Sequence, residues 1–354
     1  MESLSRLRAA LAEHNLPALL VTQMLNVRWL TGFTGRSGAV VVTADRAVFI
    51  TDSRYSVQAY DEVEGFEIII FRTPSTLDGE IVSVLREGGL TECGFETSMT
   101  YAAWEKRTQD ASDFTWRPVK DVCEGLRKIK SAVEIRKIQA ACQLADACME
   151  HVSRMLQPGV SEYDIALDLE FYYRRHGAAP SFPSIVVSGV NSARPHGQPG
   201  AKLLERGDFV TIDCGALLDG YCSDITRTFV IGEASDRHRE VYGEVLRAQV
   251  AAIEAMHPGT PGKDVDGIAR SILKEKDYEQ YFGHGLGHGL GLAVHDPGSL
   301  SMASTDVLAA GMVLTVEPGV YIEGFGGVRI EDDVLVNENG PQVLTHFPKE
   351  LTIT

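Results

Sequence analysis

The stretch Phe282-Gly-His-Gly-Leu-Gly-His-Gly-Leu-Gly-Leu-Ala-Val-His295 sets three histidines, His284, His288 and His295, among five glycines. Imidazole serves both as a metal ligand and as a proton carrier near neutral pH. Glycine lets one backbone segment approach another closely, so the main chain can place each ring without a helix to carry it. A lone histidine is more often structural than functional. Three within fourteen residues, with carboxylates on both sides in sequence, point to chemistry.

Those carboxylates are Asp213 and Asp224 before the stretch and Glu317 and Glu331 after it. Each interrupts a β-branched, apolar run, which predicts burial, and a buried anion is costly unless paired or metal-bound. Arg227 and Arg329 could pair with two of the four, not with all. Four carboxylates plus His288 suit two divalent cations, whose charge turns mutual repulsion into shared coordination. Oxygen ligands with one imidazole suit Mn²⁺, Co²⁺, Fe²⁺ or Zn²⁺. Two such ions about 3.5–4 Å apart are a device for hydrolysis. His196, in Arg194-Pro-His-Gly197, and His295, in Val294-His-Asp296, are the candidate proton carriers. His284, four residues before His288, is expected to line the same cavity. Asp332 and Asp333 follow Glu331, but strand alternation turns at least Asp332 to the opposite face.

Two strand pairs must hold these groups. Residues 208–214 and 221–230 flank Leu218-Asp219-Gly220, and Asp-Gly is a strong hairpin signal. Residues 312–321 and 327–336 flank Gly324-Phe-Gly326. One carboxylate falls on each arm of each pair, which predicts an internal structural repeat without clear residue-level identity. Helices are expected between the strands. Ser131-Ala-Val-Glu134 is a capping-box signature ahead of an apolar stripe running to about residue 156. Ser161-Glu-Tyr-Asp164 opens a second helix that ends near Gly177; residues 236–256 and 263–274 give a third and a fourth. This half reads as α+β with an antiparallel sheet. The first 120 or so residues alternate helix and strand and read as an α/β domain, with a hairpin over residues 38–51. The division expected is 1–122 and 123–354. The glycine-rich segment 31–38 lacks the spacing of a phosphate-binding loop and reads as an ordinary loop.

Composition narrows the class. The 354 residues are 44% hydrophobic and 23% charged, as in a soluble globular protein. A formal net charge of −16 with no basic stripe argues against nucleic acid. Six cysteines without a CxxC pair read as reduced and buried. No apolar run is long enough to span a membrane, so a cytoplasmic location is expected.

The combined motifs resemble those of the metal-dependent Xaa-Pro peptidases, aminopeptidase P and prolidase, within the pita-bread peptidase group. The resemblance rests on Asp213-Cys-Gly215, Tyr221-Cys-Ser-Asp-Ile-Thr-Arg-Thr228, residues 284–296, Thr315-Val-Glu-Pro-Gly319 and Gly327-Val-Arg-Ile-Glu-Asp332. It implies an α+β pita-bread catalytic domain behind a smaller N-terminal α/β domain that serves substrate access and dimer contacts. It implies five metal ligands, Asp213, Asp224, His288, Glu317 and Glu331, with Asp224 and Glu331 bridging two ions, usually Mn²⁺, with Co²⁺ or Zn²⁺ as alternatives. It implies that Glu317 is also the base, that His196, His284 and His295 act on substrate, and that Arg329 supports the site. Hydrolysis of the amide between an N-terminal residue and proline in short peptides, by a homodimer, is the activity implied. Tyr221 and Phe182 are expected as walls for the pyrrolidine ring. One departure stands out: many relatives carry an arginine shortly after the third histidine that can meet a substrate carboxylate, and residues 296–306 contain none. Arg36, from the glycine-rich loop of a partner subunit, is the candidate substitute. The competing readings are a methionine-aminopeptidase-like enzyme, a metal-free creatinase-like hydrolase and a non-catalytic pita-bread binding protein.

Overall fold

Short apolar runs punctuated by capped helices build the first part of the chain. In the computed structural model, which describes residues 2–354, these elements are α1 (Glu2–Glu13), β1 (Ala18–Val21), α2 (Met24–Thr31), β2 (Ala39–Thr43), β3 (Ala47–Asp52), α3 (Ser56–Glu62), β4 (Glu67–Phe71), α4 (Leu77–Glu87), β5 (Glu92–Glu96), α5 (Tyr101–Asp110), β6 (Thr115–Val119) and α6 (Val122–Arg127). They form one mixed sheet in the order β4-β3-β2-β1-β5-β6, with β2–β3 the expected hairpin. Leu20, Val41, Val48 and Ile50 meet Ile81 and Leu85 of α4 in its core. Three helices went unread in the sequence. Of these, α2 is defined by its ends: the Gln23 side chain accepts from the Asn26 N–H, and Gly32, at φ 80°, closes it in the left-handed region. The first compact unit ends at Arg127 rather than at residue 122, because α6 packs on α1.

The second unit, Lys128–Thr354, is built twice over. Its first half runs α7 (Ala132–Ser153), α8 (Glu162–Arg175), β7 (Ala179–Pro180), β8 (Ile185–Ser188), β9 (Phe209–Cys214), β10 (Ala216–Leu218), β11 (Tyr221–Cys222) and β12 (Ile225–Val230). Its second runs α9 (Asp236–Glu254), α10 (Gly262–Lys274), β13 (Gly287–Gly289), β14 (Asp296–Leu300), β15 (Val313–Val316), β16 (Gly319–Ile322), β17 (Gly326–Arg329), β18 (Asp332–Asn337) and β19 (Gly340–Val343), followed by β20 (Thr352–Ile353). Capping boxes start α7 at Ser131 and α8 at Ser161, as the sequence predicts. The repeat reaches individual bonds. Gly159 (φ 93°) donates to the Leu204 carbonyl, and Gly259 (φ 92°) donates to the Leu308 carbonyl. The Pro158-Gly159 and Pro258-Gly259 helix stops are therefore a residue-level trace of the duplication. Each helix pair buries its own core: Leu169 and Tyr173 with Ile212 and Ile225, and Val245 and Leu273 with Leu314 and Val334. Truncating one such side chain to alanine costs about 2–5 kcal/mol.

One expectation about the strands needs correction. Neither informative strand pair is a continuous hairpin. The first breaks at Gly215 and at Ser223-Asp224, so β9 and β12 pair in a four-stranded sheet (β20-β12-β9-β8) while β10 and β11 pair in a three-stranded one. The second breaks at Glu317-Pro318 and Ile330-Glu331, so β15 and β18 belong to a five-stranded sheet (β14-β13-β15-β18-β19) and β16 and β17 pair alone. Proline at 318 supplies no N–H for a ladder, which suits a strand end. At Gly215 a Cβ would lie 1.9 Å from the Ser223 carbonyl oxygen, so only glycine allows that crossing.

Candidate active site

The breaks matter because they carry the acids. Asp224 sits between β11 and β12, Glu317 directly after β15 and Glu331 directly before β18; Asp213 lies in β9, opposite Thr226. A residue at a break has a main-chain N–H that is free of its own ladder, and here each is claimed from elsewhere. Asp224 donates to the Asp333 carboxylate at 2.9 Å, Glu317 to the Leu286 carbonyl at 2.8 Å and Glu331 to the Thr226 carbonyl at 3.1 Å. Hydrogen bonds from these three main-chain N–H groups to distant segments thus fix where the three carboxylates start.

His288, in the middle of β13, comes to the same place. Its main-chain N–H donates to Thr315 Oγ1, whose hydroxyl donates to Glu317 Oε1 at 3.3 Å. Its Nδ1 lies 3.0 Å from the Gly289 carbonyl and so carries the ring proton, which leaves the Nε2 lone pair facing Glu317 at 3.4 Å and Asp224 at 3.7 Å. The glycines around it serve close approach rather than unusual φ. A Cβ on Gly287 would meet the Thr315 carbonyl oxygen at 1.9 Å, and one on Gly289 the Pro297 carbonyl oxygen at 2.2 Å.

Ligand atoms of Asp224, His288 and Glu331 lie within 4.8 Å of one another, a spacing able to hold a metal ion. Asp213 adds its carboxylate beside them, with Oδ2 accepting from Arg329 Nη2 at 2.6 Å. Asp213 Oδ1 and Asp224 Oδ1 are buried without a hydrogen-bond partner. Four carboxylates face one guanidinium. Burial, then repulsion from Glu331 and Asp213, pushes the Asp224 carboxyl well above the usual range; burial, then Glu317, does the same to Glu331. Burial takes Glu317 up to about 8 against the pull of Arg329. Burial also holds the His288 imidazole down to about 4, so it is neutral and a competent ligand. Orphaned buried oxygens, excess negative charge and a neutral imidazole together fit divalent cations.

A cavity of about 510 Å³ opens over these groups, lined also by Phe182, His196, His284, His295, Ser299 and Ser301. The His295 ring stands 4.3 Å from that of His288 and at 74° to it. His196 and His295 are exposed toward solvent. His284 lines the cavity, as expected. Its Nδ1 lies 2.8 Å from the Gly285 carbonyl and its Nε2 2.9 Å from the Tyr321 hydroxyl, so both nitrogens are engaged by protein. Tyr221 does not line the cavity; it turns to α7, where its hydroxyl donates to Glu134 at 3.2 Å. Arg36 is exposed on the loop between α2 and β2 of the first unit. Arg227 pairs with Asp332, not with any of the four site acids, and Asp332 faces away from them as strand alternation requires.

Sequence reading assigns no role to Tyr321, Thr226 or Asp333. Arg329 Nη1 donates to the Tyr321 hydroxyl at 2.9 Å, and the hydroxyl in turn donates to His284. Thr226 accepts from Arg329 Nε at 3.1 Å and donates to Glu331 Oε2 at 2.6 Å. Thr226 and Tyr321 lie within segments quoted for their neighbours; nothing in the sequence marks them apart.

Residues 136–338 match the model of metallopeptidase family M24, and residues 4–129 that of the creatinase/prolidase N-terminal domain. The chain belongs to metallopeptidase family M24. It is 44% identical over 352 residues to an uncharacterized peptidase of Bacillus subtilis, covering 99% of each chain. It superposes on an Xaa-Pro dipeptidase from Bacillus anthracis with a TM-score of 0.96 at 43% identity, covering 100% of this chain and 99% of that one. An X-Pro aminopeptidase from Thermotoga maritima gives a TM-score of 0.91 at 33% identity, covering 96% and 98%. As a member of M24 the chain is a hydrolase of the metallopeptidase class, and the expected pita-bread domain behind an N-terminal α/β domain is borne out. The six cysteines are free and buried, and among the described residues no helix is long and apolar enough to cross a membrane.

Proposed function

We propose that the chain hydrolyses the amide bond between an N-terminal residue and proline in short peptides, as an Xaa-Pro dipeptidase or aminopeptidase. The observation that carries this reading is the convergence of Asp213, Asp224, His288, Glu317 and Glu331 on the floor of one cavity whose walls carry His196 and His295. These five would hold two divalent ions, Mn²⁺ by preference and Co²⁺ or Zn²⁺ as alternatives. Ions there neutralise the carboxylates and make water a competent nucleophile near neutral pH. Glu317, with its Oε1 steadied by Thr315, would accept the proton released as water attacks and return it to the prolyl nitrogen as the C–N bond breaks. His295 and His196 hold the scissile carbonyl and donate to its developing oxyanion. The prolyl nitrogen has no N–H to offer, so recognition falls to shape, with Phe182 as one wall for the pyrrolidine ring. Arg329, tied to Asp213, Thr226 and Tyr321, positions rather than reacts. His284, engaged through both nitrogens, belongs with it.

The methionine-aminopeptidase-like reading is disfavoured by the match to a creatinase/prolidase N-terminal domain, and the non-catalytic reading by the complete ligand set. Chelator-treated protein should be inactive and recover Xaa-Pro hydrolysis with Mn²⁺ or Co²⁺; no recovery with any divalent ion rejects the assignment. His295→Ala should lower turnover while metal content stays near that of the parent. A homodimer is expected and is read by sedimentation.

A further inference from the structure

His196 lies on the loop that leaves β8 after Ser188 and returns at Gly200. Among the described residues nothing hydrogen-bonds its ring, so the backbone of that loop and its packing set where the imidazole stands. Near the histidine the loop is pinned twice. Arg329 Nη1 donates to the Pro195 carbonyl at 3.3 Å, and the Gly327 N–H donates to Ser192 Oγ at 2.8 Å. Its two ends are pinned by one residue. Glu162, in the first turn of α8, sends one carboxylate oxygen to each end. Oε1 accepts from both the N–H and the hydroxyl of Ser188 at 2.7 Å, and Oε2 accepts from the Gly200 N–H at 2.9 Å.

Solvation alone would not put a carboxylate there. A glutamate in the first turn of a helix ordinarily faces water, where the helix dipole favours it without a desolvation cost. Glu162 is 1% exposed, and among the described residues no Lys, Arg or His pairs with it. A buried anion held only by neutral donors is costly. What the charge supplies is a second acceptor. A glutamine of the same shape accepts at one end and must turn its NH₂ toward a donor at the other, so only the carboxylate closes both ends of the loop at once. The other half of the unit uses a similar device. Asp266, fully buried in α10 and paired with Arg270, accepts from the Leu286 N–H at 3.0 Å, between His284 and His288.

We propose that Glu162 is a positioning residue that acts on the reaction through His196, by holding both ends of the 189–199 loop. This rests on the role given to His196 in the Xaa-Pro reading above. The test compares the full-length, Mn²⁺-loaded parent with Glu162→Gln, His196→Ala and the double variant on Leu-Pro and Leu-Pro-Leu, and follows amide hydrogen exchange along the chain. Glu162→Gln should speed exchange over residues 189–199 by about tenfold while residues 213–230 stay as in the parent. It should lower kcat/KM by about tenfold with metal content unchanged. Once His196 is gone the clasp has no imidazole left to place, so the double variant should be no slower than His196→Ala alone. Factors that multiply instead would show Glu162 acting on the fold at large and would overturn the inference, as would unchanged exchange in the loop. Ser188→Ala, which removes only the hydroxyl donated to Oε1, should repeat the cycle at about threefold and serves if Glu162→Gln does not fold. A parent that cleaves neither peptide with Mn²⁺, Co²⁺ or Zn²⁺ overturns the Xaa-Pro reading and the role of His196 with it. Loop exchange, which needs no substrate, decides the clasp separately.

Discussion

Two buried acidic regions lie next to each other in the second unit, and they are balanced differently. Asp332 is fully buried, yet its carboxylate meets Arg227 at 2.8 Å, Lys349 at 2.8 Å and the Gln249 amide at 2.7 Å. Burial alone would raise its pKa, but Arg227 and Lys349 hold it below the usual range. One residue earlier in the chain, Glu331 joins Asp213, Asp224 and Glu317 around a single guanidinium, and burial with mutual repulsion drives its carboxyl the other way. The first region is closed by the protein's own cations and is structural. The second asks for positive charge from outside. A single strand start, Glu331-Asp332, thus sends one acid to the site and the next to a structural ion pair.

Breaking the second region should have the largest effect. Glu331→Gln is expected to lower Xaa-Pro hydrolysis by about a hundredfold or more and to weaken metal binding, since a ligand matters at least as much as its outer-shell partners. The same variant, stripped of metal, should melt higher than the stripped parent, because one repelling charge is gone. A lower melting temperature would mean that the four acids do not strain the fold. In the first region the sign reverses. Arg227→Met should destabilise the protein by about 3–5 kcal/mol, measured by denaturant unfolding, because Asp332 loses a buried partner.

The pH dependence separates the regions next. A carboxyl whose folded pKa is raised binds more protons folded than unfolded, so stability falls as pH rises from its ordinary value through the folded one. For Glu317 that window runs from 4.5 to about 8. His284 and His288, lowered from 6.5 to about 4, act oppositely below 6.5. Between pH 6.5 and about 8 the carboxyl effect stands alone. Chelator-treated protein should therefore lose on the order of a few kcal/mol across it, and saturating Mn²⁺ should abolish the slope. A flat profile without metal would argue against strong mutual repulsion. The smallest effect is expected from Tyr321→Phe, which removes the hydroxyl joining Arg329 to His284 at a cost of about 1 kcal/mol, read in kcat/KM with metal content unchanged.

Much of this was legible in the sequence. Ser131 and Ser161 announce α7 and α8 because capping is local, and Asp219-Gly220 marks its turn because both residues adopt positive φ, 49° and 83°. The acids stood out because each interrupts an apolar run. What stayed hidden is non-local. That a strand changes sheets at Asp224 or Glu331 depends on which neighbour claims the freed N–H, and for Asp224 the claimant is Asp333, 109 residues away. Tyr321 gains its place through Arg329 and His284, and neither link leaves a sequence signal. Tyr221, expected as a wall of the pyrrolidine pocket, is instead turned toward Glu134 by a contact with α7 that no local pattern announces.

The central claim is that the cluster of Asp213, Asp224, His288, Glu317 and Glu331 exists to bind divalent cations. Calorimetric titration of chelator-treated protein with Mn²⁺ at pH 8, with Xaa-Pro hydrolysis followed in parallel, tests it most directly. The account predicts two ions bound, protons released on binding, and activity that rises with occupancy. Full activity in excess chelator, or no detectable Mn²⁺ binding by the intact five-residue set, would contradict it.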